Sequence, residues 1–331
     1  MAKAKLSRRT CLYLAASAAA LPAMTHLAWA QTYPSRPVRI ICGFVPGSAP
    51  DIVARLMAQW LSERLGQQFV VENRSGGASN IATEAVVRAP PDGYTLLLAN
   101  DTFAATEALP IAGAPPLRPA FEPITLAISA PQGVFTHPKS GLASIREFAS
   151  AARARPGRLN VGVPGIGSSQ HLTSELLLHA AGNLSVTHIP YRGGGPLIQD
   201  LIAGNIDAAT VTFAAGAQQA KAGRLVPLAV TGARRATAFP DVPTIDETIA
   251  PGFLETSWMG ILAPAGTPDE VRRRVHAATV ASLKDAAVAQ RLGDLGFDPV
   301  GLDGAGFGRL FDDTVRTFAA IAAERQIVAG E

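Results

Sequence analysis

From Gln31 onward the apolar positions follow two alternating periods. PVRIICGFV (37–45), QFVVENR (68–74) and YTLLLAN (94–100) are short continuous apolar runs that predict strands, whereas DIVARLMAQWLSERLG (51–66) and NIATEAVVRA (80–89) space their apolar residues as amphipathic helices do. The stretch 101–120, rich in Pro and Ala and without a period, predicts a loop, and FEPITLAISAPQGVFTHP (121–138) a long extended segment. The grammar then restarts. Helices are expected at 144–154, 169–181, 195–203 and 214–222, interleaved with strands at 159–163, 186–191, 206–211 and 225–232. After a Pro-rich link (239–252), a strand at 256–264 and closing helices at 268–292 and 304–325 complete the chain. Strands alternating with single helices require crossover connections, so the pattern predicts an α/β chain of two mostly parallel units joined by long strands, with a cleft between them.

The first thirty residues follow a different rule. MAKAKLSRRT carries four basic residues and no acid, CLYLAASAAALPA is a short apolar stretch, and Ala28-Trp29-Ala30 has the small-x-small spacing that precedes cleavage. Residues 1–30 are expected to be an export signal peptide. Ser7-Arg8-Arg9-Thr10-Cys11-Leu12 also resembles a twin-arginine signal, which leaves both the general and the twin-arginine routes open. No later apolar stretch is long enough for a membrane span.

Signal removal changes the charge. The whole chain has 29 basic and 26 acidic residues, net +3; without its first thirty residues it has 25 against 26, net −1. A near-neutral chain without a Lys/Arg run predicts no nucleic-acid partner. With 48% apolar and 17% charged residues over 331 positions, the chain can build globular cores. Cys42 is left alone once Cys11 is removed, so no internal disulfide is expected.

Small residues cluster where strands give way to helices, the places at which α/β proteins offer helix N-termini to ligands. Gly47, Ser48 and Ala49 precede the first helix, with Ser48-x-x-Asp51 in capping-box spacing; Gly76 to Asn80 precede the second. Gly165 to Ser169 open the helix at 169, and Gly193-Gly194-Gly195-Pro196 the helix at 195. A single such loop is most simply a cap, but four loops divided between two units point to carboxylate binding by backbone amides and hydroxyls. The rival chemistries lack their signatures: no G-x-x-x-x-G-K-[ST], G-x-G-x-x-G or G-x-S-x-G occurs, and His137, His171, His179, His188 and His276 show no metal spacing. No cofactor, metal or catalytic residue is expected. His171 stands in the first turn after Ser168-Ser169, where a structural hydrogen bond and a ligand contact both remain open, and Arg192 could pair with an anion.

The segments 33–77, PDGYTLLLAN, RPGRLNVGVPGIGSSQHLTSELL, IPYRGGGPLIQDLIAGNIDAA, AGRLVPLAVTGARRATAFPDVPTIDE and TSWMGILAPAGTP together resemble the Bug family, periplasmic solute-binding proteins associated with tripartite tricarboxylate transporters. The resemblance implies a two-lobe Venus-flytrap receptor that closes on a small organic carboxylate. It implies ligand contacts at Phe44, Gly47, Ser48, Asn80, Gly167, Ser168, Ser169, His171, Tyr191 and Gly193. Ala49, Asn100, Thr102 and Thr212 complete the candidate set.

This sequence departs from the family pattern at three places near the expected site. It has Val45-Pro46-Gly47-Ser48-Ala49-Pro50-Asp51 where a P-P-G-G-x-x-D loop is usual, Gly77-Ala78-Ser79-Asn80 in place of A-G-G-N, and Val211-Thr212 in place of an Asp-Asn pair. The expected lobes are 31–129 with 256–331, and 130–255. The expected protein is a periplasmic monomer serving membrane transporter subunits. The alternatives are an exported α/β hydrolase using Ser168 or Ser169 with His171, and a detached sensing domain of a regulator. Lobe closure is expected to alter the surroundings of Trp258 more than those of Trp60.

Overall fold

The computed structural model describes residues 33–110 and 115–328. The export-signal reading therefore falls on residues outside the described ones. Contacts divide the chain into residues 1–35 and 36–331, and the second unit carries every element named below.

Its first half-sheet contains β1 (Val38–Cys42), β2 (Phe69–Asn73), β3 (Thr95–Asn100), β9 (Thr256–Pro264), the first part of β4 (Phe121–Thr136) and β10 (Asp298–Asp303). The second half-sheet contains the rest of β4 with β5 (Asn160–Val163), β6 (Thr187–Pro190), β7 (Ala208–Thr212) and β8 (Val226–Val230). β1–β2, β1–β3, β5–β6 and β5–β7 run parallel, whereas every pairing of β4 is antiparallel. β4 makes one fold of the two halves: Phe121 to Pro131 pair with β9, and Gln132 to Thr136 pair with β7.

The helices are α1 (Ala49–Leu65), α2 (Asn80–Val87), α3 (Asp101–Ala108), α4 (Ile145–Ala154), α5 (Ser169–Ala180), α6 (Gly194–Ala203), α7 (Phe213–Lys221), α8 (Asp269–Leu283), α9 (Ala286–Asp294) and α10 (Gly304–Glu324). Each half-sheet has its own core. Phe103, Phe121, Trp258, Phe307 and Phe311 fill the first. Phe148, Leu177 and Leu178 cover one face of the second, and Phe135, Leu197 and Phe213 the other. Full burial of a side chain of this size contributes about 1.5–3 kcal/mol, so each half carries enough apolar surface to hold its own shape. A smaller cluster of Ala105, Leu172, Phe318, Ile321 and Ala322 joins α3 and α10 to α5, fixing the two halves together along one side.

Three expectations need correction. The supposed loop 101–120 contains α3, whose buried face (Asp101, Phe103, Ala104, Ala105) is too short to display a helical period. The single closing helix at 268–292 is two helices, because the Asp285 carboxylate accepts from the amides of Ala287 and Val288 and starts α9. β10 escaped notice because its residues are exposed or half-buried and show no apolar run.

Candidate ligand site: a cleft lined by helix N-termini

The strand-to-helix loops of both halves open onto one cavity of about 1370 Å³. The first loop is organised by Asp51, a buried residue in the first turn of α1. Its carboxylate accepts from the Gly47 amide at 2.9 Å, Arg55 Nε at 3.0 Å and Asn73 Nδ2 at 2.8 Å. Burial alone would raise the Asp51 pKa, but these donors outweigh it and hold the carboxyl below its ordinary value. Asn73 also donates to the Phe44 carbonyl at 2.9 Å, so one side chain of β2 ties both ends of the loop. The capping box expected from Ser48-x-x-Asp51 does not form. Ser48 Oγ donates to the Val45 carbonyl instead, which leaves the Ala49 amide at the start of α1 without a side-chain cap.

The second loop rests on the first. A Cβ on Gly43 would lie 1.8 Å from Ser79 Oγ, so only glycine allows this approach. Ser79 is buried there, while Ala78 and Asn80 face the cavity. At the start of α3, Asn100 Nδ2 donates to Thr102 Oγ1 at 3.2 Å, and both residues line the cavity.

In the other half, α5 starts at the loop 164–168. Ser168 Oγ accepts the His171 amide at 3.2 Å, and the first-turn amides of Ser169 and Gln170 have no helical partner. α6 begins after Gly193 and α7 after Thr212, both without a side-chain cap. Four helix starts that border this cavity (α1, α5, α6 and α7) carry first-turn amides without a partner in their own helix, and each contributes partial positive charge, whereas at α3 the buried Asp101 carboxylate lies against the first-turn amides of Asp101 and Thr102. The cavity therefore presents a field suited to an anion.

Of the sequence-derived candidates, Phe44, Gly47, Ser48, Ala49, Asn80, Asn100, Thr102, Gly167, Ser168, Gly193 and Thr212 line the cavity. Ser169, His171 and Tyr191 do not. Ser169 is fully buried, beside the Asp101 carboxylate, whose pKa burial pushes up to about 6. Tyr191 donates its hydroxyl to Asp200 at 2.8 Å and packs against the second half's core. Trp258 is also turned away: its indole donates to Thr314 and packs on Phe307 and Phe311, and its neighbours Ser257 and Met259 face the cleft instead. The expectation that Trp258 reports closure thus loses its structural basis. Nothing in the periodicity of β9 signalled Ser257 or Met259, because a strand buried on both faces does not mark its ligand side.

His171 supports the loop from behind. Its Nδ1 accepts the Gly167 amide at 3.1 Å, which takes that amide away from any ligand. Gly167 itself has φ +74 and lies against Leu109. Burial and the neighbouring His188 depress the His171 pKa to about 4. In the folded protein the ring is neutral where the unfolded chain, titrating near 6.5, takes up a proton. His171 therefore stabilises the fold above pH 6.5 and loses that contribution as the pH falls from 6.5 towards 4. A loss of about 2 kcal/mol is expected by pH 5. Urea unfolding as a function of pH should show it, and His171→Gln, which can still accept the Gly167 amide, should flatten the profile.

His171, Glu175 and His188 bring potential metal-ligand atoms within 4.8 Å of one another. The hydrogen bonding opposes a metal. With Nδ1 accepting from Gly167, the proton of neutral His171 sits on Nε2, the nitrogen that faces Glu175 and that an ion would need. Glu175 meanwhile pairs with His188 at 3.1 Å and with Arg325 at 3.3 Å.

Residues 53–327 match the family model described as "Tripartite tricarboxylate transporter family receptor". The chain belongs to this receptor family. Protein BugT of Bordetella pertussis is 33% identical over 273 residues, covering 82% of this chain and 83% of BugT. The solved structure of R. palustris Rpa4515 with adipate is 31% identical, with a TM-score of 0.80 over 90% of this chain and 100% of that one. MatC (Rpa3494) from Rhodopseudomonas palustris with bound malate is 29% identical, with a TM-score of 0.75 over 87% and 99%. This receptor thus has the two-lobe α/β fold of periplasmic binding proteins, with its cleft between the lobes. Membership of a family of solute-binding receptors sets aside the hydrolase reading. Among the described residues no helix is long and apolar enough to cross a membrane.

Proposed function

We propose that this receptor captures a small organic carboxylate in the periplasm, closes its lobes on it and delivers it as a monomer to a tripartite membrane transporter. The observation that carries the reading is the convergence of uncapped helix starts from both halves on one cavity. A carboxylate is the common group that such amides recognise without a matching side chain. The adipate and malate bound by two structural relatives support the same chemistry. The lobes are assigned to 31–129 with 256–331, and to 130–255; the change of β4 partners between Pro131 and Gln132 supports that division. The cavity-lining candidates named above form the proposed binding set, and Ser169, His171 and Tyr191 support it from the second layer.

The test removes one amide and nothing else. Gly194 is the first residue of α6, and no atom lies within 4 Å of a Cβ built there. Proline suits the first helical position and lacks the N–H. Gly194→Pro is expected to weaken carboxylate binding by about tenfold, the order of one charge-assisted hydrogen bond, whereas Gly194→Ala should bind as the parent does. Isothermal titration with a panel of mono-, di- and tricarboxylates measures this, and equal affinities for the two variants would remove α6 from the site.

A further inference from the structure

Two acids without a cationic partner stand where the two half-sheets meet. Asp101 opens α3, directly after β3 of the first half-sheet. Glu255 stands immediately before β9 and is tied to the second half-sheet, its amide donating to the carbonyl of Thr231, just past β8, at 3.1 Å. Asp101 is 1% exposed, and neither of its carboxylate oxygens makes a hydrogen bond, although the hydroxyls of Ser169 and Ser257 and the amides of Asp101 and Thr102 lie alongside. Glu255 is half-buried, and the charged group that acts on it is Asp101. The other charged groups on the surrounding elements are engaged elsewhere. Glu107 of α3 holds the amides of Leu117 and Arg118, Glu175 of α5 pairs with His188 and Arg325, Asp312 of α10 pairs with Arg118, and Arg235, beyond Thr231, pairs with Glu247. Two neighbouring buried acids with no counter-ion cannot both be ionised without a large cost. Burial raises the Asp101 pKa to about 6, and burial together with the Asp101 charge raises that of Glu255 to about 8, so near neutral pH the pair holds about one proton.

The pair borders the ligand cavity through a single hydroxyl. Ser257, beside the Asp101 carboxylate, lines the cavity, as do Asn100 and Thr102, the residues on either side of Asp101. Building on the receptor reading, we propose that this receptor binds its carboxylate together with a proton, which Asp101 and Glu255 take up from water as the anion enters. An anion in the cavity repels the ionised acids across a region from which water is excluded, so it favours their protonated forms. Linkage makes the effect reciprocal: protonation of the pair favours the anion, and affinity falls as the pH rises through the range in which the pair ionises. If the ligand charge strengthens each proton site by about tenfold, affinity falls about tenfold between pH 6.5 and 8.5, and about half a proton is taken up per ligand at pH 7.

Adipate, malate and benzoate serve as probes, because carboxylates titrate near 4 and their charge is constant above pH 6.5. Each is titrated calorimetrically into the full-length protein at several pH values, in pairs of buffers that differ in ionisation enthalpy, so that proton uptake is read directly. For every probe that binds, the expected result is the tenfold fall in affinity and the half-proton uptake given above. Asp101→Asn combined with Glu255→Gln, which keeps the shape of the protonated pair, should bind with no proton uptake and an affinity independent of pH over this range. In the ligand-free protein, the infrared band of a protonated carboxyl should be present at pH 7 and diminish in Glu255→Gln. Binding without proton uptake between pH 6.5 and 8 would overturn the proposal, as would uptake that persists unchanged in the double variant. Binding that instead depends on sodium at fixed pH and ionic strength would assign the site to a metal cation and overturn it equally. If no acid binds at any pH, the carboxylate-receptor reading fails and the linkage with it; the infrared band distinguishes that case from a pair that holds no proton.

Discussion

Asp51→Ala is expected to lose about 3 kcal/mol of folding stability and to abolish measurable ligand binding. The buried carboxylate satisfies three donors, the Gly47 amide, Arg55 Nε and Asn73 Nδ2. A hydrogen bond to a charged group contributes about 1.5–3 kcal/mol, and removing the acceptor also strands the donors. Arg55 is largely exposed and can return to water, so the loss falls mainly on Gly47 and Asn73. Without Asp51 and a correctly oriented Asn73, the first loop has nothing to fix Phe44 and Gly47 at the cleft. Asp51→Asn keeps one acceptor oxygen and should fall between the parent and Ala. Because the folded pKa of Asp51 lies below its unfolded value, its contribution is present above that unfolded value and lost as the pH falls through the folded one. Denaturant unfolding at neutral pH measures the change, and a loss under 1 kcal/mol would show that Asp51 does not organise the loop.

Gly43→Val should be comparably damaging for a steric reason. The new Cβ would stand 1.8 Å from Ser79 Oγ and 2.6 Å from Ser79 Cβ, so the first two loops must separate. Forced overpacking of this kind costs about 1–3 kcal/mol in stability, and the shift moves Phe44 and Asn80, both at the cleft, away from each other. Ser79 also sits at φ +77, a strained conformation for a residue with a side chain. Ser79→Gly should therefore be neutral or stabilising alone, and Gly43→Ala with Ser79→Gly should recover most of the binding lost in Gly43→Ala. A double variant no better than the single one would mean that the loops do not depend on this contact.

The chain's local chemistry announces much of this receptor. The helices at 51–66, 80–89 and 144–154 and the strands at 94–100 and 256–264 lie within two residues of the observed elements, because apolar period and small-residue loops are properties of neighbouring residues. The small-residue loops before α1, α2, α5 and α6 were legible for the same reason, and all of them reach the cleft. The family resemblance was legible because its motifs are contiguous stretches in order.

Other features depended on how those pieces dock. Ser168 and Ser169 are adjacent at the start of α5, yet Ser168 faces the cleft and Ser169 is sealed beside Asp101. His171 lies one turn from the cavity but turns its ring towards His188 and Glu175. These directions follow from the rotation of α5, which Leu172 sets by packing against α3 and α10 through Phe318 and Ile321, residues almost 150 positions away. Trp258 was placed in the first core by Phe307 and Phe311 in the same long-range way. The sequence by itself determined most of the elements, their order and the small-residue helix starts, since apolar period and turn chemistry are local; α3, β10 and the absence of a cap on α1 were not legible in it. Only the tertiary structure decided which helix starts border one cavity and which amide is taken by His171, because those properties belong to the packing of helices distant in the chain.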